Sequence, residues 1–363
     1  MVQREDQGLD ALPTDATFKQ RVELFWQWFP SVAGRFYETI EAGNCADLAD
    51  EVSEFMGETM PGLAWVFGPG EDGGHSFTVS GEGQVAVQLL AEYWLSQAVE
   101  LPGWTFYESR QPSAQTEGVS IEIGSLGRVD SESFLIRAAV DEEREVIDIV
   151  AWHPLFAELP EQHHAQLLFL LLDEVLGEFG TQTWLGGIDI AEVNASEVNG
   201  RTVFRLMELP TFIKGIQRYH GWEKHSPLRS YTGYTVREAS PVLRGDTIAG
   251  TTCIPGLAFE LIDEGGRLNE DPLQDTGASL AYLQIDGAVF PDGDQAAVRH
   301  NIEEALDEAL EGQQLGRTLG GAAGTESSYI DLLLIDGDQS RAAVEQTMER
   351  LSLNDRYRWH SFA

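Results

Sequence analysis

The sequence predicts an α+β protein in which aromatic-rich helices pack on mixed or antiparallel sheets. Apolar residues recur every three or four positions in some segments and alternate or cluster in short runs in others, the spacings of helices and strands. The two patterns are interspersed along 363 residues, a length sufficient for two or three domains. Apolar residues make up 42% and aromatic residues 10% of the chain, so it can bury real cores and is not expected to be disordered.

The first third predicts an ααββαβ domain over residues 17–110, preceded by an acidic extension at 1–16. Pro30 is expected to kink or split the first helix, and Asn44 suits the N-cap of the second. Strands at 63–68, 75–81 and 103–109 then enclose a helix at 84–97. The first helix is predicted by seven apolar residues on one face: Val22, Phe25, Trp26, Phe29, Val32, Phe36 and Ile40.

The middle of the chain predicts a second α+β domain over 119–258, after a polar spacer, and its strands could join the sheet of the first. A hairpin within 134–154 precedes a helix that Pro160 opens and Gly180 caps, and residues 183–193 follow as a strand. The pattern is weakest over 194–258, where short strands and one helix are predicted.

A linker-like stretch at 264–277 separates off residues 278–363, whose patterns follow the order βαββαβ of a ferredoxin-like domain. Within it, "GGAAGTES" carries Gly320, Gly321 and Gly324 between two predicted strands. A phosphate-binding loop needs a helix after the loop, and this stretch also lacks Gly-Lys-Ser/Thr. The glycines are therefore expected to form a hairpin turn that needs positive φ, with a ligand-contacting loop of a regulatory domain as the alternative.

Charge is the strongest compositional signal, because 60 acidic residues oppose 23 basic ones and the net charge is −37. Residues 1–110, 111–258 and 259–363 carry net charges of −13, −10 and −14. This even spread favours acidity of the whole surface, as in proteins that stay soluble at high salt. The alternatives are mimicry of nucleic acid and capture of a basic partner. Direct nucleic-acid binding is not expected, since phosphate contacts need clustered Lys and Arg.

Other features favour a cytoplasmic protein that has no membrane segment. No apolar run approaches the ~18 residues of a spanning helix, and the polar, acidic start of the chain does not resemble a signal peptide. Cys45 and Cys253 are too far apart to suggest a disulfide framework.

Three segments hold candidate binding residues. The loop "GPGEDGGHS" carries Glu71, Asp72, His75 and Ser76, which could bind a ligand, take part in catalysis, or simply form a hairpin tip. His153 follows a strand in "AWHP", a common position for site residues but also for structural histidines.

The third segment, "GWEKHSPLRSY", is locally basic in an acidic chain and could bind an anion through Lys224, His225 and Arg229. Metal ions and cofactors are not expected. None of the eight histidines has convincing metal-ligand spacing, and no GxSxG elbow or Cys-His pair is recognisable.

Four stretches resemble segments of uncharacterised bacterial proteins built of domains of unknown function: "PGLAWVFGPGEDGGHSFTVSGEG", "LAEYWLSQAVELPGWTFYESRQP", "LLLDEVLGEFG" and "LGGAAGTESSYIDLLLID". The resemblance spans most of the chain and implies no activity or residue role. In topology alone, the C-terminal βαββαβ block resembles small acidic regulators of ribonuclease E activity.

The leading hypothesis is a non-enzymatic cytoplasmic protein of inhibitor, immunity or regulatory type, which binds a protein partner that its charge suggests is basic. One alternative is a small-molecule sensor with a regulatory ferredoxin-like domain. The other is a hydrolase of unknown substrate that uses His75 or His153 beside a carboxylate. The sequence leaves the oligomeric state open.

Overall fold

The computed structural model describes residues 13, 15–113, 120–123, 127–130, 133–191, 203–223, 226–236, 240, 242–290 and 294–363. Within these residues the chain forms nine α-helices and fifteen strands, with the strands in four separate sheets. The predicted α+β class is therefore confirmed.

The first block contains α1 (Phe18–Glu41), α2 (Ala49–Thr59), β1 (Ala64–Pro69), β2 (His75–Ser80), α3 (Val85–Ser96) and β3 (Trp104–Tyr107). Strand β2 pairs antiparallel with β1 and parallel with β3. A capping box at Thr17 starts α1, because the Thr17 side chain and Gln20 satisfy each other's free backbone N–H groups. The helix runs unbroken past Pro30, which is exposed, so the predicted split does not occur.

Aromatic rings fill the space between α1 and the three-stranded sheet. Phe25 lies 5.3 Å from Trp94 of α3 and 5.6 Å from Phe77 of β2, measured between ring centroids. Phe29 lies 5.0 Å from Trp104 of β3, edge to face. Edge-to-face and offset contacts of this kind add to the stabilisation from burial itself, so these rings fix how the helices sit on the sheet.

The middle block forms a hairpin of β4 (Ser120–Ile123) and β5 (Gly127–Asp130) and a four-stranded sheet with its own core. The sheet order is β8 (Leu185–Ile190), β7 (Val146–Trp152), β6 (Leu135–Asp141) and β9 (Val203–Arg205). Helices α4 (His164–Leu176), α5 (Glu178–Trp184) and α6 (Leu209–His220) accompany it.

The predicted helix of the middle block ends earlier than expected. Gly177, at φ +75°, ends α4, and Gly180 lies inside the next helix, α5. The prediction was wrong because both glycines follow the apolar stripe at plausible cap spacing, and only the folded backbone shows which of them leaves the helical region.

The last block is a six-stranded antiparallel sheet in the order β10 (Thr232–Thr235), β11 (Thr247–Thr252), β13 (Gly316–Gly324), β14 (Ser327–Leu334), β12 (Ser279–Asp286) and β15 (Tyr357–Ser361). Its helices are α7 (Pro255–Asp263), α8 (Gln295–Glu311) and α9 (Gly337–Arg350). Strands β10 and β11, which precede the linker-like stretch in sequence, thus belong to the same sheet as the strands after it.

The two faces of this sheet have different partners. Helices α8 and α9 cover one face over a core that includes Leu283, Leu306 and Ile330. Tyr282 and Leu333 point from the other face into the core of the first block. Backbone hydrogen bonds from Phe18 to Gly277 and from Lys19 to Ile335 hold the start of α1 against this block. The first and last blocks therefore share one continuous core.

The glycines of "GGAAGTES" lie within a strand, which corrects the expectation that they form the turn. Strand β13 continues to Gly324, and only Thr325 and Glu326 connect it to β14. Gly320 has φ +122° at an irregularity in the pairing with β14, and a Cβ atom there would clash with the carbonyl oxygen of Thr251. Close approach of neighbouring strands, rather than a turn, is what requires glycine here.

Candidate functional site

The residues predicted in the β1–β2 loop do not converge on one site. Glu71 and Asp72 are exposed at the tip, whereas Ser76 is buried at 2% exposure. His75 packs 4.8 Å from the ring of Tyr37, and its Nε2 lies 3.1 Å from Oε1 of Glu41. That distance suits an ion pair, although the geometry is not that of a hydrogen bond. The hydrolase hypothesis required a carboxylate within hydrogen-bond reach of His75; Glu41 lies at that distance but forms no hydrogen bond with it.

His153 is a buried residue at the end of β7, at 4% exposure. Its ring stacks on Phe134 at 4.2 Å, and its Nδ1 accepts a hydrogen bond from the backbone N–H of Leu155. It thereby caps the short 3-10 turn at Pro154–Ala157, a role that accounts for a histidine at this strand end. Lys224 and His225 lie outside the described residues.

Arg229 is the predicted residue that the fold places in a cleft. The cleft measures about 250 Å³ and lies between α3 and the six-stranded sheet, with Glu311 at the end of α8 also lining it. Leu89 and Glu92 line it from α3, and Arg317 and Leu333 line it from β13 and β14. Residues from the first, middle and last parts of the sequence therefore meet in this cleft.

An ion-pair network runs along the cleft. Arg229 donates from Nε to Oε1 of Glu92 at 2.7 Å and from Nη1 to Oε1 of Glu311 at 2.5 Å. Arg317 donates to the other oxygen of Glu92 at 3.0 Å. Burial lowers the pKa of Arg229, but the hydrogen bonds to Glu311 and Glu92 outweigh that effect and raise the pKa above its usual value. Arg229 is therefore held as a cation.

Arg317 anchors the network from inside the protein. Its Nη2 donates to the carbonyl oxygen of Leu228 and lies 3.2 Å from the sulfur of Cys253. Burial raises the pKa of the Cys253 thiol, and the Arg317 charge offsets this only in part. Cys253 is thus kept as a buried thiol rather than a reactive thiolate.

A second charged arrangement, around Glu178, was missed from the sequence. Glu178 begins α5 at 3% exposure and accepts hydrogen bonds from Ser80 Oγ at 2.7 Å, Gln88 Nε2 at 2.6 Å and the Gly83 N–H at 2.9 Å. The backbone N–H of Arg110 adds a longer fourth bond at 3.3 Å. A carboxylate from the middle block is therefore cradled by the first block.

The signal for this cradle was present in the sequence. Residues 80–84, "SGEGQ", join strand β2 to helix α3, the strand–glycine loop–helix order that favours an anion at a helix N-terminus. The longer glycine run around Gly320 joins no strand to a helix, whereas this shorter loop does. The anion that occupies it is the chain's own Glu178.

Helix α2 and the 3-10 turn before it, Cys45–Leu48, carry an exposed line of carboxylates, here called the α2 ridge. Asp47 lies in the turn, and Asp50, Glu54 and Glu58 lie in the helix. Their spacing of three or four residues puts them on one face, opposite the buried residues Val52 and Met56. Within the described part of the chain, no ion pair joins a basic group to any ridge residue. Glu51, on the flank, is the α2 carboxylate that pairs, with Arg35 of α1.

The described residues contain no group of three or more His, Cys, Asp or Glu side chains arranged to hold a metal ion. Among the helices that the structure describes, none combines the length and apolar character needed to cross a membrane. Comparison with models of protein families, with curated proteins and with solved structures finds no match to this chain. The resemblance noted from the sequence therefore supplies no residue roles, and function has to be argued from the geometry.

Proposed function

We propose that this chain is a non-enzymatic, cytoplasmic protein of inhibitor or regulatory type, which binds a basic protein partner through the α2 ridge. The observation that carries the proposal is the absence of a counter-ion on the ridge among the described residues. Like charges four residues apart destabilise a helix slightly, and a bound cationic partner would relieve this repulsion between the ridge carboxylates. An uncompensated acidic surface also accelerates encounter with a basic protein.

Comparison with another acidic surface supports the choice of α2. The outer faces of α8 and α9 also expose carboxylates, including Glu304 and Glu345. There, His300 lies 3.4 Å from Glu304, and Arg341 pairs with Glu345 at 3.0 Å. Arg341 thus neutralises Glu345, and His300 neutralises Glu304 when it is protonated. No ridge carboxylate has such a partner among the described residues, and this contrast favours α2 as the binding surface.

We further propose that residues 278–363 form a ferredoxin-like domain of regulatory character. Two observations support it: the element order β12-α8-β13-β14-α9-β15 and the antiparallel strand order β13-β14-β12-β15. Strands β10 and β11 extend this sheet beyond β13. The extension places Arg229, which lies just before β10, against the end of the domain.

The experiment is affinity purification of the tagged full-length protein from its own cells at about 50 mM and about 300 mM salt. The higher salt concentration screens surface charges more strongly, so it weakens a complex that depends on them. The test variant is Asp47→Asn, Asp50→Asn, Glu54→Gln and Glu58→Gln together. The matched control removes the same charge from the α8–α9 surface: Glu304→Gln, Glu308→Gln, Glu345→Gln and Glu349→Gln.

We expect one basic protein to co-purify in stoichiometric amount with the wild type and with the control. It should be absent with the α2 variant, and its yield with the wild type should fall at the higher salt. In vitro, the purified partner should then bind the wild type and the control but not the α2 variant. Equal loss with both variants would mean that general charge, not the ridge, attracts the partner. No stoichiometric companion at either salt would overturn the proposal that the chain acts by binding a protein.

A further inference from the structure

We infer that the cleft beside Arg229 binds a small α-amino acid, which enters between Arg229 and Glu311. The inference is independent of the α2 ridge and rests on three features of the cleft: a weak ion pair at its mouth, unused hydrogen-bond donors, and a small polar rim. Each feature selects part of the ligand's chemistry.

The ion pair at the mouth presents both charges that an α-amino acid needs. Arg229 and Glu311 meet at 2.5 Å, and their side chains are 47% and 44% exposed. Exposed pairs of this kind contribute little to stability, so a ligand can part them easily. The ligand's carboxylate would take the place of Glu311 at Arg229, and its ammonium would take the place of Arg229 at Glu311. The exchange replaces the single Arg229–Glu311 pair with two ion pairs to the ligand.

Behind the mouth, the network is fixed and still has donors to offer. Glu92 uses one oxygen for Arg229 and the other for Arg317, so it holds Arg229 in place while the outer pair opens. Among the described residues, Nη2 of Arg229 makes no hydrogen bond. Arg317 is buried at 4% exposure and donates to Glu92 and to the carbonyl oxygen of Leu228, so it fixes the inner end of the network and leaves the ligand to Arg229. Arginine forks with free donors are well suited to a carboxylate.

Size and rim define the rest of the ligand. At about 250 Å³ the cleft is smaller than the ~300–1,000 Å³ of sites for drug-sized ligands. Its rim includes Ser96, Gln97 and Gln314, which carry uncharged polar groups, whereas Leu89 and Leu333 beneath are almost fully buried. A short, uncharged polar side chain fits this rim. A zwitterion also carries no net charge, so the −37 charge of the chain does not repel it as it would a simple anion.

The test is calorimetric titration of the full-length protein with L-serine, L-asparagine and L-glutamine. Each amino acid is added to about 10 mM, because a small ligand is expected to bind weakly and needs a high concentration for saturation. L-Serinamide lacks the carboxylate and N-acetyl-L-serine lacks the ammonium, so both should fail to bind if serine binds. Arg229→Gln and Glu311→Gln should each weaken binding about tenfold or more, the loss expected when a charged hydrogen bond is removed.

The control is the pair Arg35–Glu51, which has the same 2.5 Å separation and similar exposure, 52% and 42%. Arg35→Gln and Glu51→Gln should leave amino-acid affinity unchanged. Gln97→Trp, at a partly exposed rim position, should block the cleft without touching the ion pair and covers the case in which an Arg229 variant fails to fold.

Binding that needs both ligand charges, that weakens about tenfold or more with Arg229→Gln and with Glu311→Gln, and that Gln97→Trp abolishes supports the inference. No binding of any of the three amino acids overturns it. Binding that survives Gln97→Trp, or that the amide or the acetyl derivative reproduces, also overturns it, since the ligand would then lie elsewhere or use a different recognition.

Discussion

Replacing Glu178 with alanine removes the carboxylate through which the middle block is hydrogen-bonded to the first. The side chain is 3% exposed and accepts from Ser80, Gln88 and Gly83, with a longer bond from Arg110. The donors that stay buried cannot form hydrogen bonds to water once this acceptor is lost. Each such unsatisfied donor lowers the free energy of unfolding by about its desolvation penalty. The substitution therefore tests whether this cradle stabilises the contact between the blocks.

The magnitude follows from which donors stay buried. Ser80 is 1% exposed and Gln88 is fully buried, so both would be left without their acceptor, at about 1–3 kcal/mol each. Gly83 and Arg110 are exposed residues whose N–H groups can turn to water. The expected loss for Glu178→Ala is about 4 kcal/mol. Glu178→Gln keeps the shape and one acceptor oxygen, so about half of that loss is expected.

Urea unfolding followed by tryptophan fluorescence measures the change in the free energy of unfolding, because Trp26 and Trp94 are buried in the core of the first block. The control is Glu158→Ala, an exposed acid of the same middle block, which should shift stability by less than about 0.5 kcal/mol. If Glu178→Ala lay within about 1 kcal/mol of that control, the cradle would not stabilise the fold in the way its geometry implies.

Three further predictions concern the six-stranded sheet. Arg244 and Asp331 form a bidentate pair at 2.5 and 2.7 Å with at most 1% exposure. Arg244→Met or Asp331→Leu alone should lower the free energy of unfolding by about 3–5 kcal/mol, because each leaves a buried charge without its partner. Urea titration should find the double variant less destabilised than either single variant. Burial raises the pKa of Asp307, so its contribution to stability is complete below its unfolded pKa of about 3.9 and is lost as pH rises through the folded value. Asp307→Asn should therefore gain in stability on the wild type as pH rises above about 3.9, and parallel stability–pH profiles of the two proteins would contradict this. Gly320→Ala should destabilise the fold by about 3 kcal/mol or more, because φ is +122° and a Cβ atom would clash with the next strand. The control is Gly233→Ala in the same sheet, where a Cβ atom meets open space, so the urea midpoint should change little.

Local pattern was enough to predict most elements but not their partners. The apolar stripe of α1 was visible because a helix repeats every 3.6 residues and buries one face. The glycines of β13 were misjudged because a strand pressed against its neighbours and a turn with positive φ both favour glycine. The choice between them depends on the strand that lies alongside, here β11.

The candidate sites show the same division. Arg229 was predicted from its basic surroundings, but its partners Glu92 and Glu311 lie 137 and 82 residues away in sequence. His153 and Ser76 looked reactive by residue type, and burial decided against open sites for them. Residue type proposes chemistry, whereas exposure and distance determine whether that chemistry has access to a ligand.

The sequence by itself determined the α+β class, the acidic charge and the order of elements in the last block, because periodicity and composition are properties of short stretches of chain. The tertiary structure decided that β10 and β11 extend the last sheet, that the first and last blocks share a core, and that Glu178 fills a loop of the first block. These pairings join residues that are tens to hundreds of positions apart. Their free energy comes from burial and hydrogen bonding between surfaces that meet only after the chain has folded, and no local spacing encodes which surfaces will meet.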